Sequence, residues 1–154
     1  MNELSETVSN GFNAAFEDYL KRVHTLAEPL TEEQFWRKPY PYGNSFGHLV
    51  LHLTGNLSHY IGAEIARTGY IRDRAREFSD PQPPAKAEAL QRLDEAVALV
   101  VQTVSAQSAG DWSAPYNALG ADGLNDRFSI TLRCAAHMFH HVGQMIYLAK
   151  EHAR

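Results

Sequence analysis

Cys134-Ala135-Ala136-His137-Met138-Phe139-His140-His141-Val142-Gly143-Gln144 sets three histidines within five residues near the end of a 154-residue chain. The run around it is patterned as a helix. At about 100° per residue, His137 and His141 stand one turn apart on a single face. Gln144 continues that stripe, Cys134 lies just off it one turn earlier, and His140 points well to one side. Two imidazoles at i and i+4 can ligate one divalent metal, although many such pairs merely occupy a half-exposed helix face. If the pair is a site, the chain has to bring a further ligand from another helix.

The helix that carries these residues extends from a cap at Asp126 or Ser129 to about Glu151. A second helix opens at Asn44-Ser45, where Gly43 suits the preceding turn, and runs to about Thr68, with Gly69 as its stop. Phe46, Leu49, Leu53, Leu57, Tyr60 and Ile61 form its apolar side. His48, His52, Asn56 and His59 follow helical spacing along the border of that side, an unusual polar line for a helix that only packs.

Toward the N-terminus, Val8, Phe12, Ala15, Tyr19, Val23 and Leu26 recur every three or four residues and mark a first helix over about 5–27. Thr31-Glu32-Glu33-Gln34 has the form of a capping box and opens a short turn whose Phe35 and Trp36 form a lid over one end of the core, with Pro39 and Pro41 preventing its extension. Leu90, Leu93, Val97, Val100 and Val104 define a helix over about 86–107 with no plausible ligand. The connection 70–83 is charged and proline-containing and is expected to cross the outside. The connection 110–126 is turn-rich around Gly120-Ala121-Asp122-Gly123, and its Trp112 is expected to cover the bundle end. No strand signal, internal repeat or low-complexity segment competes. The expectation is one all-α domain over 1–154, a four-helix bundle with long 70–83 and 110–126 connections.

Composition narrows the function classes. A hydrophobic content of 44%, a charged content of 21% and a net charge of −4 are those of a globular protein, and nothing supplies the basic surface of a nucleic-acid binder. No apolar run approaches the roughly 18 residues of a membrane span. The polar, acidic start is unlike a secretory signal, and the lone Cys134 cannot form an internal disulfide. A cytoplasmic location is the expectation.

Bundles build metal sites from inward side chains on facing helices, and here only the second and fourth helices offer ligands. His52 with His137 and His141 would leave one coordination position open for water or substrate, the catalytic rather than the structural zinc pattern. Imidazole suits nickel, iron and copper as well as zinc. Spacing leaves His48, one turn away on the same side, as a competitor for the role of His52. Gln144 and Asn56 are candidate pocket residues, or amides satisfied within the bundle. Cys134 reads as a soft ligand or as a small core residue. His140 is a candidate for hydrogen bonding between helices, while His24, His59 and His152 read as surface or rim residues.

Two stretches carry a resemblance. Ser45 through His52-Leu53 is similar to an S-x-x-x-x-x-x-H-L opening of a second helix. His137 through Met145 is similar to an H-x-x-x-H-x-G-Q-[IM] segment of a fourth. Together they resemble the DinB-like, YfiT-type bundles, and the lengths of chain and connections agree over essentially all residues. The resemblance implies a homodimeric four-helix bundle holding a divalent metal, zinc or nickel foremost, on one histidine of the second helix and two of the fourth. Residue by residue these are His52, His137 and His141, which places His52 ahead of His48. Relatives include S-transferases using low-molecular-weight thiols, such as bacillithiol or mycothiol, and a thiol-dependent maleylpyruvate isomerase. It therefore implies a metal-dependent enzyme acting on a thiol and an electrophilic substrate, or a related hydrolase. The alternative is a non-enzymatic metal-binding or stress-associated bundle, its site closed by His48, Cys134 or Gln144.

Overall fold

A computed structural model describes residues 2–154. Seven α-helices and no strands are found among them: α1 Glu3–Ala27, α2 Glu32–Trp36, α3 Phe46–Leu57, α4 Arg76–Ser79, α5 Lys86–Ser105, α6 Ala109–Trp112 and α7 Arg127–His152. The four long ones make the bundle. α1 packs on α5 and α7, and α3 packs on the same two helices, so α1 lies diagonally across from α3.

Side-chain caps fix where these helices begin. Asn2 accepts from the Ser5 N–H, Ser45 from the His48 N–H and Asp126 from the Ser129 N–H, each satisfying a donor that the first turn cannot use. Of the two candidates for α7, Asp126 is therefore the cap and Ser129 its donor. Thr31 and Gln34 form the reciprocal capping box. At the other end, the Ser5 and Ser9 hydroxyls donate to the carbonyls of Gln107 and Val104, so α1 satisfies acceptors at the end of α5.

The core follows the apolar stripes of α3 and α5 closely. On α1 the buried line is Phe12, Phe16, Val23 and Ala27, whereas Val8, Tyr19 and Leu26 are half-buried. Phe35 is fully buried against Phe46 and the edge of Trp36, and Trp112 packs on Phe12 and Phe128 at the bundle end.

The second helix differs from its expected form. Regular α geometry stops at Leu57 and a π-helical turn, Ser58–Ala63, follows. Arg67 then takes a left-handed conformation (φ 58°) before Gly69. A π turn inserts extra backbone and re-phases the residues beyond it. Here it turns both Tyr60 and Ile61 into the core just past the polar line of α3.

Two expectations about exposure need correction. His152 is buried rather than at the rim, because α2 and the residue after it fold back over the end of α7: Arg37 Nη2 lies 3.3 Å from His152 Nδ1, and Gln34 donates to the His152 carbonyl. The 70–83 connection does run over the outside for most of its length, yet it sends Glu77 inside, 7% exposed. No helix among the described residues is long and apolar enough to cross a membrane.

Candidate metal centre

α3 and α7 face each other with their polar lines aligned. His52, 6% exposed, projects from α3 toward His137 and His141, both half-buried on α7. His137 Nε2 lies 3.1 Å from His52 Nε2 and 3.0 Å from His141 Nε2. One nitrogen from each of the three rings falls within 4.8 Å of the others. Three Nε2 atoms on a tetrahedral zinc, with Zn–N bonds of 2.0–2.1 Å, would sit about 3.3 Å apart. The two spacings from His137 are within a few tenths of an ångström of that, and the third pair lies within 4.8 Å.

The outer nitrogens explain why the inner ones converge. His52 Nδ1 donates to Glu77 Oε2 at 2.8 Å. A carboxylate can only accept, so the ring proton of neutral His52 is on Nδ1 and its Nε2 is a bare lone pair. His141 Nδ1 donates to Gln144 Oε1 at 2.7 Å, and the Gln144 amide is 3.3 Å from His140 Nε2. His141 Nε2 is then a lone pair too. A single proton on His137 can serve one of these neighbours but not both, whereas one cation meets all three nitrogens at once. The donor set therefore fits a divalent metal better than it fits a hydrogen-bonded cluster.

Electrostatics point the same way. Burial, followed by the neighbouring imidazoles, pushes His137 down to about 3. Burial likewise brings His141 down to about 4, against the opposing hydrogen bond to Gln144. Both rings are neutral at physiological pH, the form in which an imidazole can ligate a metal. His137 Nδ1 is buried without a partner among the described residues, so this ring is held by α7 and by its edge-on packing against the other two imidazoles.

Glu77 is the member of this cluster that the sequence did not point to, and two further residues keep it in place. Arg72 donates to it twice, Nε to Oε1 at 2.7 Å and Nη2 to Oε2 at 3.1 Å, so a buried carboxylate meets a fork-shaped cation as well as the imidazole. Gly55 of α3 makes the room: a Cβ there would stand 2.0 Å from Glu77 Oε1. An isolated glycine inside a helical pattern signals such a close approach. Together these residues form a carboxylate–histidine arrangement of the kind that orients metal ligands.

The remaining candidates fall outside the cluster. His48 turns away, its Nδ1 bonded to Ser45 Oγ at 2.8 Å and its ring against Trp36. Cys134 is fully buried, and burial pushes its thiol up to about 12, so it packs as a small apolar residue. Gln144 engages the back of His141 and not the face shared by the three Nε2 atoms. Asn56, one turn beyond His52, is buried with its Oδ1 unpartnered among the described residues. His140 is exposed beside Gln144. His24 pairs with Asp94, and His59 lies edge-on to Tyr60.

Comparison with curated proteins gave no match. A family model described as the DinB superfamily matches residues 15–145, a span that contains all three histidines, Glu77 and most of the four long helices. On that match, and on an all-α bundle with the expected histidines gathered at one point, the chain belongs to the DinB superfamily.

Proposed function

We propose that the protein is a divalent-metal-dependent enzyme, a thiol S-transferase that uses a low-molecular-weight thiol against an electrophilic substrate. The observation that carries this reading is the convergence of the His52, His137 and His141 Nε2 lone pairs, two of them fixed by hydrogen bonds on the opposite ring nitrogen. A divalent cation held by these nitrogens would supply Lewis acidity, lowering the pKa of a thiol or water at the position the protein leaves open. That position is supported by the fate of the possible fourth donors. His48 is engaged with Ser45, Cys134 is sealed in the core, and Gln144 is spent on His141.

The residues of the chain have distinct parts in this scheme. Glu77, held by Arg72, fixes the tautomer and direction of His52. Gln144 does the same for His141. Because His137 and His141 are half-buried, a small thiol can approach their face from solvent, while α3 and the Glu77 turn close the back of His52. In the reaction the thiol sulfur forms a bond to an electrophilic carbon, the leaving group departs with the bonding electron pair, and the thiol proton passes to solvent.

The test is elemental analysis of protein purified without added metal, followed by a conjugation screen pairing low-molecular-weight thiols with electrophilic acceptors. About one metal per chain, lost in His137→Ala, together with metal-dependent thioether formation, is the expected result. Metal retention without conjugation of any thiol would favour a non-enzymatic metal-binding bundle. Absence of bound metal even after incubation with zinc and nickel would sink both readings.

A further inference from the structure

One turn along from the three histidines, the same two helices line a cavity of about 430 Å³, a size within the usual range for small-molecule sites. α3 contributes Leu49, three residues before His52. α7 contributes Gln144, Tyr147 and Leu148, beginning three residues after His141. At about 1.5 Å rise per residue, these walls begin roughly 5 Å along the helix axes from the imidazoles. Gln144 belongs to both places, since its side-chain Oε1 accepts from His141 Nδ1 while the same side chain borders the cavity.

The facing wall is made by Tyr40, Tyr42, Gly43 and Asn44, from a segment in which Pro39 and Pro41 end α2. Prolines on either side of Tyr40 restrict its backbone. Gly43, at φ 75°, makes the turn into the Ser45 cap with a conformation that side chains disfavour. The result is a stiff strip on which the Tyr40 and Tyr42 rings lie parallel, 7° between planes and 5.4 Å between centroids. Tyr42 is 72% and Tyr147 70% exposed, so ring surface is presented to the cavity's surroundings instead of being spent in the core. None of the lining residues is charged. The nearest charges lie behind the lining, Lys150 Nζ 5.9 Å from the Tyr147 ring and Glu151 beside Tyr40, and rigid aromatic walls with a few neutral polar groups suit a flat ring.

We propose that this cavity binds an uncharged planar aromatic group of the substrate, with its reactive end directed past Gln144 toward the histidines. The assignment rests on the transfer reading above and deepens it, naming aromatic electrophiles as the acceptor class. The experiment titrates 4-nitroanisole, an uncharged planar probe, into isotope-labelled protein by NMR, with cyclohexyl methyl ether as the saturated counterpart, in both metal-free and metal-loaded samples. Shifts should concentrate at Gly43, Asn44, Leu49, the Gln144 side-chain amide and Tyr147. The saturated ether should bind more weakly. Tyr42→Ala and Tyr147→Ala, at exposed positions that the fold does not need, should each weaken the aromatic probe about threefold to tenfold, as expected for loss of one ring contact. Binding by the metal-free sample supports the cavity independently of the metal. Protein that takes up no metal on incubation with zinc or nickel yet still binds the probe removes the transfer reading and leaves the cavity standing. Equal affinity for the two probes, shifts centred elsewhere, or unchanged affinity in both alanine variants would overturn the proposal.

Discussion

Glu77 accepts a hydrogen bond at 2.8 Å from His52, a residue 25 positions earlier on a different element, and both side chains are less than a tenth exposed. This contact makes the 70–83 connection part of the candidate metal centre. Removing the carboxylate leaves the Arg72 guanidinium and His52 Nδ1 without their common acceptor. Glu77→Ala should therefore destabilise the fold by about 3–5 kcal/mol, the usual cost of breaking a buried pair from one side, as read by urea denaturation. Glu77→Gln keeps an acceptor for His52 while losing the charge. It should fold and bind zinc about 10–100-fold more weakly. Wild-type zinc affinity in Glu77→Gln would show that the carboxylate has no bearing on the site.

Gly55→Ala tests the same contact from the helix side. On propensity alone the substitution stabilises a helix interior by about 1 kcal/mol. The new Cβ, however, would stand 2.0 Å from Glu77 Oε1 and 2.8 Å from its Cδ. The carboxylate must move, and it is the buried partner of both Arg72 and His52. The expected outcome is a net loss of stability together with weaker metal binding. A more stable protein with unchanged metal affinity would mean that Glu77 can be displaced at no cost.

His48 and His52 are one turn apart, and their environments separate them. His48 spends Nδ1 on Ser45 and lies against Trp36, whereas His52 meets His137. His48→Ala should keep one metal per chain and cost about 1 kcal/mol or less in lost packing. His52→Ala, His137→Ala and His141→Ala should each lose the metal. Elemental analysis of the four variants purified side by side decides the matter, and metal loss in His48→Ala would move the centre toward the start of α3.

How much of this was legible depended on whether a contact followed helical periodicity. His137 and His141 share a stripe because their spacing dictates it, and the polar line His48, His52, Asn56 stood out beside the apolar side of α3. Choosing His52 over His48 required the family resemblance, since both satisfy the same spacing. Glu77 was out of reach: it sits in an aperiodic, charged connection where an acidic residue ordinarily faces water, and only the glycine at position 55 hinted at a close approach. His152 was misread for a similar reason, because its burial depends on α2 folding back and not on its place in α7. Phe16 was passed over on α1 because the buried line there runs slightly to one side of the stripe that spacing suggested.

The two half-buried histidines of α7 also set how the metal-free protein responds to acid. Both have folded-state values below their ordinary 6.5, His137 at about 3 and His141 at about 4, with burial as the main cause. The unfolded chain therefore takes up protons near pH 6.5 that the folded chain refuses. Stability rises with pH wherever the unfolded state binds more protons. This contribution is intact above about pH 6.5 and is lost progressively as pH falls from 6.5 toward 4, with a slope of at most about 1.4 kcal/mol per pH unit for each histidine. Chelated protein followed by urea denaturation across that window should show the slope, and a His137→Gln, His141→Gln double variant should flatten it. Metal should steepen the loss, because protons then compete with the cation for the same lone pairs. A wild-type profile that is level between pH 6.5 and 4 in the chelated protein would mean that these imidazoles take up protons in the folded state as readily as they do in the unfolded chain.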